Sequence, residues 1–212
     1  MHNHDHAHYH TQANEKSTRL VVLVTLVAML LELYFGYLIK SRTLIMDGWH
    51  MMSHVLVLAL AWWTYHYVNT KGSMLADEKK QRIIALGGFA SALIMFMITV
   101  WMIFEAILHF HEPEIEVSPE SIGVAVFGLL VNGVCAFFLH REEEKRDVNL
   151  HAAYLHVVSD MVISAMALAA MLAAWWKDIK ILDPVFAMIS ALIILKWSME
   201  LIRKSWKRAI GL

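Results

Sequence analysis

Two sets of side chains have the types and spacing to do chemistry. Asp47, His50 and His54 occur at i, i+3 and i+7 in one apolar stretch, and His156 and Asp160 at i and i+4 in another. On a 3.6-residue period each set shares a helix face. An ionisable group inside a membrane span costs about 3 kcal/mol or more, so its presence points to function. Imidazole nitrogens and carboxylate oxygens bind metals, and two side chains from each of two facing helices form the four-ligand shell a tetrahedral ion takes. His50, His54, His156 and Asp160 are the candidate ligands. Three imidazoles and one carboxylate suit Zn2+, Co2+, Ni2+ or Fe2+, whereas Mg2+, Ca2+ and Mn2+ prefer oxygen-rich shells. Asp47, one turn from His50, is placed to orient that imidazole rather than to bind the ion. An imidazole sheds its proton to bind metal, so protons and metal compete for such a site and proton exchange offers an energy source.

The stretches that position these residues read as membrane spans. Of 212 residues 58% are hydrophobic and 17% charged, too apolar for an ordinary soluble domain. A bilayer core needs roughly 20 apolar residues per helix, and the ranges 18–39, 44–68, 83–108, 121–139, 150–176 and 184–202 qualify. The expected architecture is an all-α integral membrane bundle of six transmembrane helices over 18–207, with 1–17 as a His-rich cytosolic tail and no C-terminal cytosolic domain. With the N-terminus inside, 13 Lys and Arg fall on cytosolic segments, against Lys40, Arg42, Lys177 and Lys180 outside, with Lys196 in the sixth span. That excess places both termini in the cytosol. The second and fifth helices then run antiparallel, and both His/Asp pairs lie about 9 to 15 Å from a helix end, near mid-membrane. The near balance of 18 basic and 19 acidic residues argues against nucleic acid as a partner. The lone Cys135 sits in an apolar run and reads as packing, and the polar start lacks a secretory signal pattern.

Other polar residues are less pointed. His2, His4, His6, His8 and His10 alternate in a flexible tail, a composition that captures metal weakly, with a cloning tag as the competing explanation. His109, His111, Glu112, Glu114 and Glu116 read as a solvated outer loop, Glu142 to Glu144 as a cytosolic turn, and His66, His140 and His151 as inner-rim residues. Glu105 and Glu200 stay open between proton path, helix pairing and interface. Trp62, Trp63, Trp175 and Trp176 fit an interfacial aromatic belt.

The run Glu32, Gly36, Ser41, Leu44, Asp47, His50 resembles the first-to-second-helix signature of the cation diffusion facilitator family, and HVVSD at 156–160 its fifth-helix HxxxD motif. GLLVN at 128–132 and Asp183-Pro184 resemble family positions in the fourth and sixth helices. The resemblance implies a six-helix exporter of divalent metals, a proton antiporter and a homodimer in the plasma (inner) membrane, with Glu32 as an accessory residue. It implies a transporter rather than an enzyme, with no prosthetic group; the metal is cargo, and protons, lipid and a second copy are its partners. Two departures stand out. The second helix carries HMMSH where the zinc pattern has HxxxD, so His54 replaces an Asp. Together with GGFASAL from Gly87, this is similar to the branch of cobalt and broader divalent efflux. Zn2+ and Co2+ lead, with Ni2+, Cd2+ and Fe2+ as further cargo. The chain also ends before the cytosolic domain that most relatives carry, which leaves dimerisation to helix packing. A membrane metalloenzyme with a His/Asp site, or a metal-binding membrane protein that does not transport, are the alternatives.

Overall fold

In hydrocarbon a backbone amide finds no water, so a spanning chain bonds its amides within helices. Six helices follow in order: α1 (Asn3–Ile39), α2 (Arg42–Lys71), α3 (Asp77–Leu108), α4 (Pro119–His140), α5 (Val148–Lys177) and α6 (Leu182–Ile210). The computed structural model describes the backbone at 3–39, 42–71, 74–108, 117–140, 147–177, 179 and 181–211, and side chains at 11–35, 37–38, 51–71, 74–104, 106–108, 117–140, 147–177, 179 and 181–211. Among these residues, five helices are long and apolar enough to cross a membrane: α1 over Thr11–Phe35, and α3 to α6. The sixth, α2, has the length at 30 residues and carries His54, Thr64, Tyr65 and His66 among its apolar groups. The expected all-α membrane bundle holds.

Local chemistry sets several helix ends. Ser118 Oγ accepts from Ser121 N at 3.1 Å while Ser121 Oγ accepts from Ser118 N at 2.9 Å, a reciprocal cap with Pro119 at the first helical position. At the far end of α6, Gly211 adopts φ 81° and its N–H turns back to Arg208 and Lys207, a left-handed stop that glycine makes without strain. Residues 3–17, expected as a flexible tail, continue α1 as helix. At 11–15 this extension is held to α2, where Asn69 Nδ2 donates to Thr11 O at 3.3 Å and to Glu15 Oε2 at 2.5 Å, and His66 Nδ1 meets Glu15 Oε1 at 2.9 Å.

α1 packs along α2, α3 along α6, and α5 touches every other helix. One apolar cluster gathers Leu58, Tyr65, Leu139, Leu150 and Val157, and Cys135 packs within it as expected. A second joins Ala92 and Met95 of α3 to Ile194 and Leu201 of α6. Trp63, Trp175 and Trp176 face outward, as a lipid-facing or interfacial belt requires. Trp62 does not: it packs against the first cluster, because α2 turns that face inward.

At the start of α5, Asp147 ties three helices together. Its Oδ1 accepts from the backbone N–H of Asn149 at 2.9 Å and Leu150 at 3.0 Å, capping α5. The Tyr65 hydroxyl of α2 donates to the same oxygen at 2.5 Å, and Asn14 Nδ2 of α1 donates to Oδ2 at 3.2 Å. Two glycines let α3 close over this joint. A Cβ on Gly87 would stand 2.5 Å from Thr64 Oγ1, and one on Gly88 would stand 2.9 Å from Val148 O. The second obstacle is backbone and cannot swing away.

Two outcomes follow for stability in detergent. Gly88→Val lowers the melting temperature, with a cost at the upper end of the ~1–3 kcal/mol range for overpacking; a melt equal to wild type would mean that α3 does not press on Val148. Asp147→Ala costs about 2 kcal/mol from the lost cap and the orphaned Tyr65 hydroxyl. Burial pushes the Asp147 carboxyl above the usual carboxylate range, against donors from Tyr65, Leu150, Asn14 and Asn149 that pull it down. A raised value means that the folded state holds the proton more tightly. This contribution to stability therefore grows as pH falls from neutral through the folded value, and is complete below the unfolded value of about 3.9. Asp147→Asn should remove that slope from the pH profile of the melt.

Candidate metal site

The helix faces inferred from spacing do meet. His54 Nδ1 of α2 lies 2.9 Å from His156 Nε2 of α5 and 2.8 Å from Asp160 Oδ2, and His156 Nε2 lies 3.8 Å from the same oxygen. All three residues are buried, and the three ligand atoms fall within 4.8 Å of one another. The two imidazole rings sit 4.9 Å apart at 51°, so the nitrogens converge without the rings stacking flat. Metal bonds of 2.0 to 2.2 Å at tetrahedral angles separate ligand atoms by about 3.3 to 3.6 Å. One observed edge already exceeds that separation and two fall about half an ångström short. A small outward movement of His54 would admit an ion.

The i, i+4 spacing of His156 and Asp160 puts both on one face of α5, as expected, and the antiparallel α2 presents His54 to them. His50 and Asp47, on the first turns of α2, lie outside the described side chains, as do His4, His6, His8, His10 and Glu105; His2 and the 109–116 and 141–146 segments lie outside the described residues altogether. Glu32 is buried in α1, 2% exposed, and it is not part of the group formed by His54, His156 and Asp160. At the rim, His140 stands 6.0 Å from the Tyr154 ring and Glu200 is exposed on α6.

The three ligand candidates open on a narrow cleft between α2, α3, α5 and α6. Its walls include residues that the sequence did not single out: Ser53, Met95, Thr99, Met102, Ser159 and Ile194. Ser159 Oγ lies 3.7 Å from Met95 Sδ and 2.7 Å from Leu155 O, and Thr99 Oγ1 donates to Met95 O at 2.7 Å. Met95, Thr99 and Met102 stand at i, i+4 and i+7. That period was a usable signal for an inward face, but methionine at helical spacing is ordinary core composition and says nothing by itself about a site.

Comparison with known proteins bears on the family. The model of the cation efflux transmembrane domain matches residues 18–208. A zinc transporter, ZitB, of Pectobacterium atrosepticum is 28% identical over 201 residues, covering 94% of this chain and 63% of that protein. The ZitB of Escherichia coli is 28% identical over 206 residues, covering 96% and 66% respectively. A cadmium, cobalt and zinc/H(+)-K(+) antiporter of Bacillus velezensis is 27% identical over 193 residues, covering 90% and 62%. The chain thus spans less than two thirds of the length of these relatives. With nine-tenths of its own length matched and the buried His and Asp groups of its second and fifth helices converging, the chain belongs to the cation efflux family, the cation diffusion facilitators.

Proposed function

We propose that this chain carries divalent transition-metal ions out of the cytosol by alternating access to the buried His54, His156 and Asp160 group, with His50, one turn earlier on α2, as the fourth ligand. The observation that carries the reading is the convergence of two imidazole nitrogens and a carboxylate oxygen, from two different helices, inside an apolar bundle. Burial of those groups is costly, and an ion that passes through is what makes the arrangement useful. Zn2+ and Co2+ are the leading cargo, with Ni2+, Cd2+ and Fe2+ behind them. The donor set suits borderline divalent ions of this kind, and the names of the relatives mention zinc, cadmium and cobalt.

Proton antiport is the coupling we infer. Three atoms bearing only lone pairs repel at 2.8 to 2.9 Å, so at least one proton is shared among His54, His156 and Asp160 when no ion lies between them. An arriving ion displaces that proton, and a returning proton expels the ion. The name of the Bacillus velezensis relative, which includes H(+), points the same way. Asp47 orients His50, Glu32 assists in the first helix, and the histidines from His2 to His10 gather metal at the cytosolic entrance. We place both termini in the cytosol from the distribution of Lys and Arg, the protein in the plasma (inner) membrane, and a second copy beside it, paired through helix packing.

Liposomes with an imposed pH gradient test this reading. Wild type should take up Zn2+ and Co2+ as the gradient dissipates. Asp160→Ala should lose uptake of every ion by about a hundredfold or more, given that even the hydrogen-bond partners of metal ligands are worth about 10–100-fold. Undiminished uptake by that variant would remove the site assignment. His54→Asp adds back a carboxylate and should keep transport while shifting preference toward zinc; total loss for all ions would count against a ligand role for position 54.

A further inference from the structure

The contact that brings the ligands together is repeated lower on the same two helices. His54 meets His156 across the α2–α5 interface, and seven residues further along α2 and seven back along α5, Asn149 Nδ2 donates to Ala61 O at 3.0 Å. Seven residues are two turns, about 10.5 Å, so the two contacts belong to one antiparallel register. Asn149 is fully buried, and its own N–H is held by the Asp147 cap at 2.9 Å. Its amide therefore leaves α5 from a fixed backbone and ends on one particular carbonyl of α2. Apolar side chains between two helices can slide past one another at modest cost, but a buried amide that leaves its acceptor is left unsatisfied. A slip of one turn would carry His156 about 5.4 Å along the axis, too far for His54 and His156 to share an ion at bonds of about 2.0 to 2.1 Å. α3 closes the joint from a third side: the Cβ that Gly87 lacks would stand 3.0 Å from Asn149 Oδ1, and the one Gly88 lacks 3.1 Å from Asn149 N.

We infer that Asn149 is a positioning residue for the ion site, holding α5 against α2 in the register in which His54, His156 and Asp160 converge. This inference rests on the reading of those three residues as ion ligands. It assigns the two glycines of α3 a purpose as well, since a side chain at either would push α3 off the amide and admit water to it.

Co2+ alone, titrated into the full chain in detergent and followed by its visible absorption, separates the possibilities. Wild type should bind with the bands of a tetrahedral ion, and His156→Ala should lose them. Asn149→Ala and Asn149→Asp, the second nearly isosteric but carrying oxygen where the donor stood, should each weaken Co2+ binding by about tenfold, as loss of an outer partner does. Their bands should shift while both chains still fold, with melting temperatures lowered by the lost buried hydrogen bond. Wild-type affinity and spectrum in both variants would overturn the inference while leaving the site reading intact. If neither variant folds, Asn149 holds the bundle as a whole and the specific positioning role falls. A wild-type chain without tetrahedral bands, or a His156→Ala chain that keeps them, would remove the site reading and this inference with it.

Discussion

Hydrocarbon offers a polar group no water, and the hydrogen-bonded polar side chains described inside this bundle answer that constraint in one of two ways. Most hydroxyls turn back on their own helix: Thr18, Thr25, Thr64 and Thr99 each donate to the carbonyl four residues earlier, at 2.7 to 2.9 Å. Such groups cost little and fix nothing beyond their own turn. Several carboxylates, imidazoles and amides reach further. They find partners on other helices, and so they help decide which helices meet and at what height. His54 with His156 and Asp160, Asn149 with Ala61, and Tyr65 and Asn14 with Asp147 are the inter-helix polar joins that fix the arrangement around α5.

These joins divide the α2–α5 interface into two functional zones. Near the start of α5, the Asp147 and Asn149 joint caps the helix, bonds to α1 and α2, and is pressed by α3. Two turns further in, the His54, His156 and Asp160 group has ligand atoms close together beside a cleft with Met95 and Thr99 on its wall.

Membership of the cation efflux family joins this geometry to transport. The donor set bears on which ions fit, and replacing a carboxylate by His54 removes one negative charge from the group. A neutral imidazole binds borderline ions such as Co2+ and Ni2+ as readily as Zn2+, whereas an added carboxylate favours harder ions. On the proposed reading, the residue at position 54 bears on which ions fit, and the register of α5 on whether it reaches His156 and Asp160.

Much of the design was legible in the residue order. Apolar runs of about 20 residues foretold the helices, since a bilayer admits few other spanning structures. The i, i+4 spacing of His156 and Asp160, and the presence of His54 in a stretch otherwise poor in charge, foretold which helix faces meet, because helical periodicity is a local property. What spacing could not supply was anything that depends on how helices lie against one another. That Asn149 lands on Ala61 O, that Gly87 and Gly88 are empty because Thr64 and Val148 stand there, that Trp62 faces the core while Trp63 faces out, and that residues 3–17 extend α1 along Asn69 of α2, are all outcomes of packing. A buried amide and two adjacent glycines have the same local signature wherever they occur, and only the register of three helices, set by polar groups with nowhere else to bond, turned them into a support for the site.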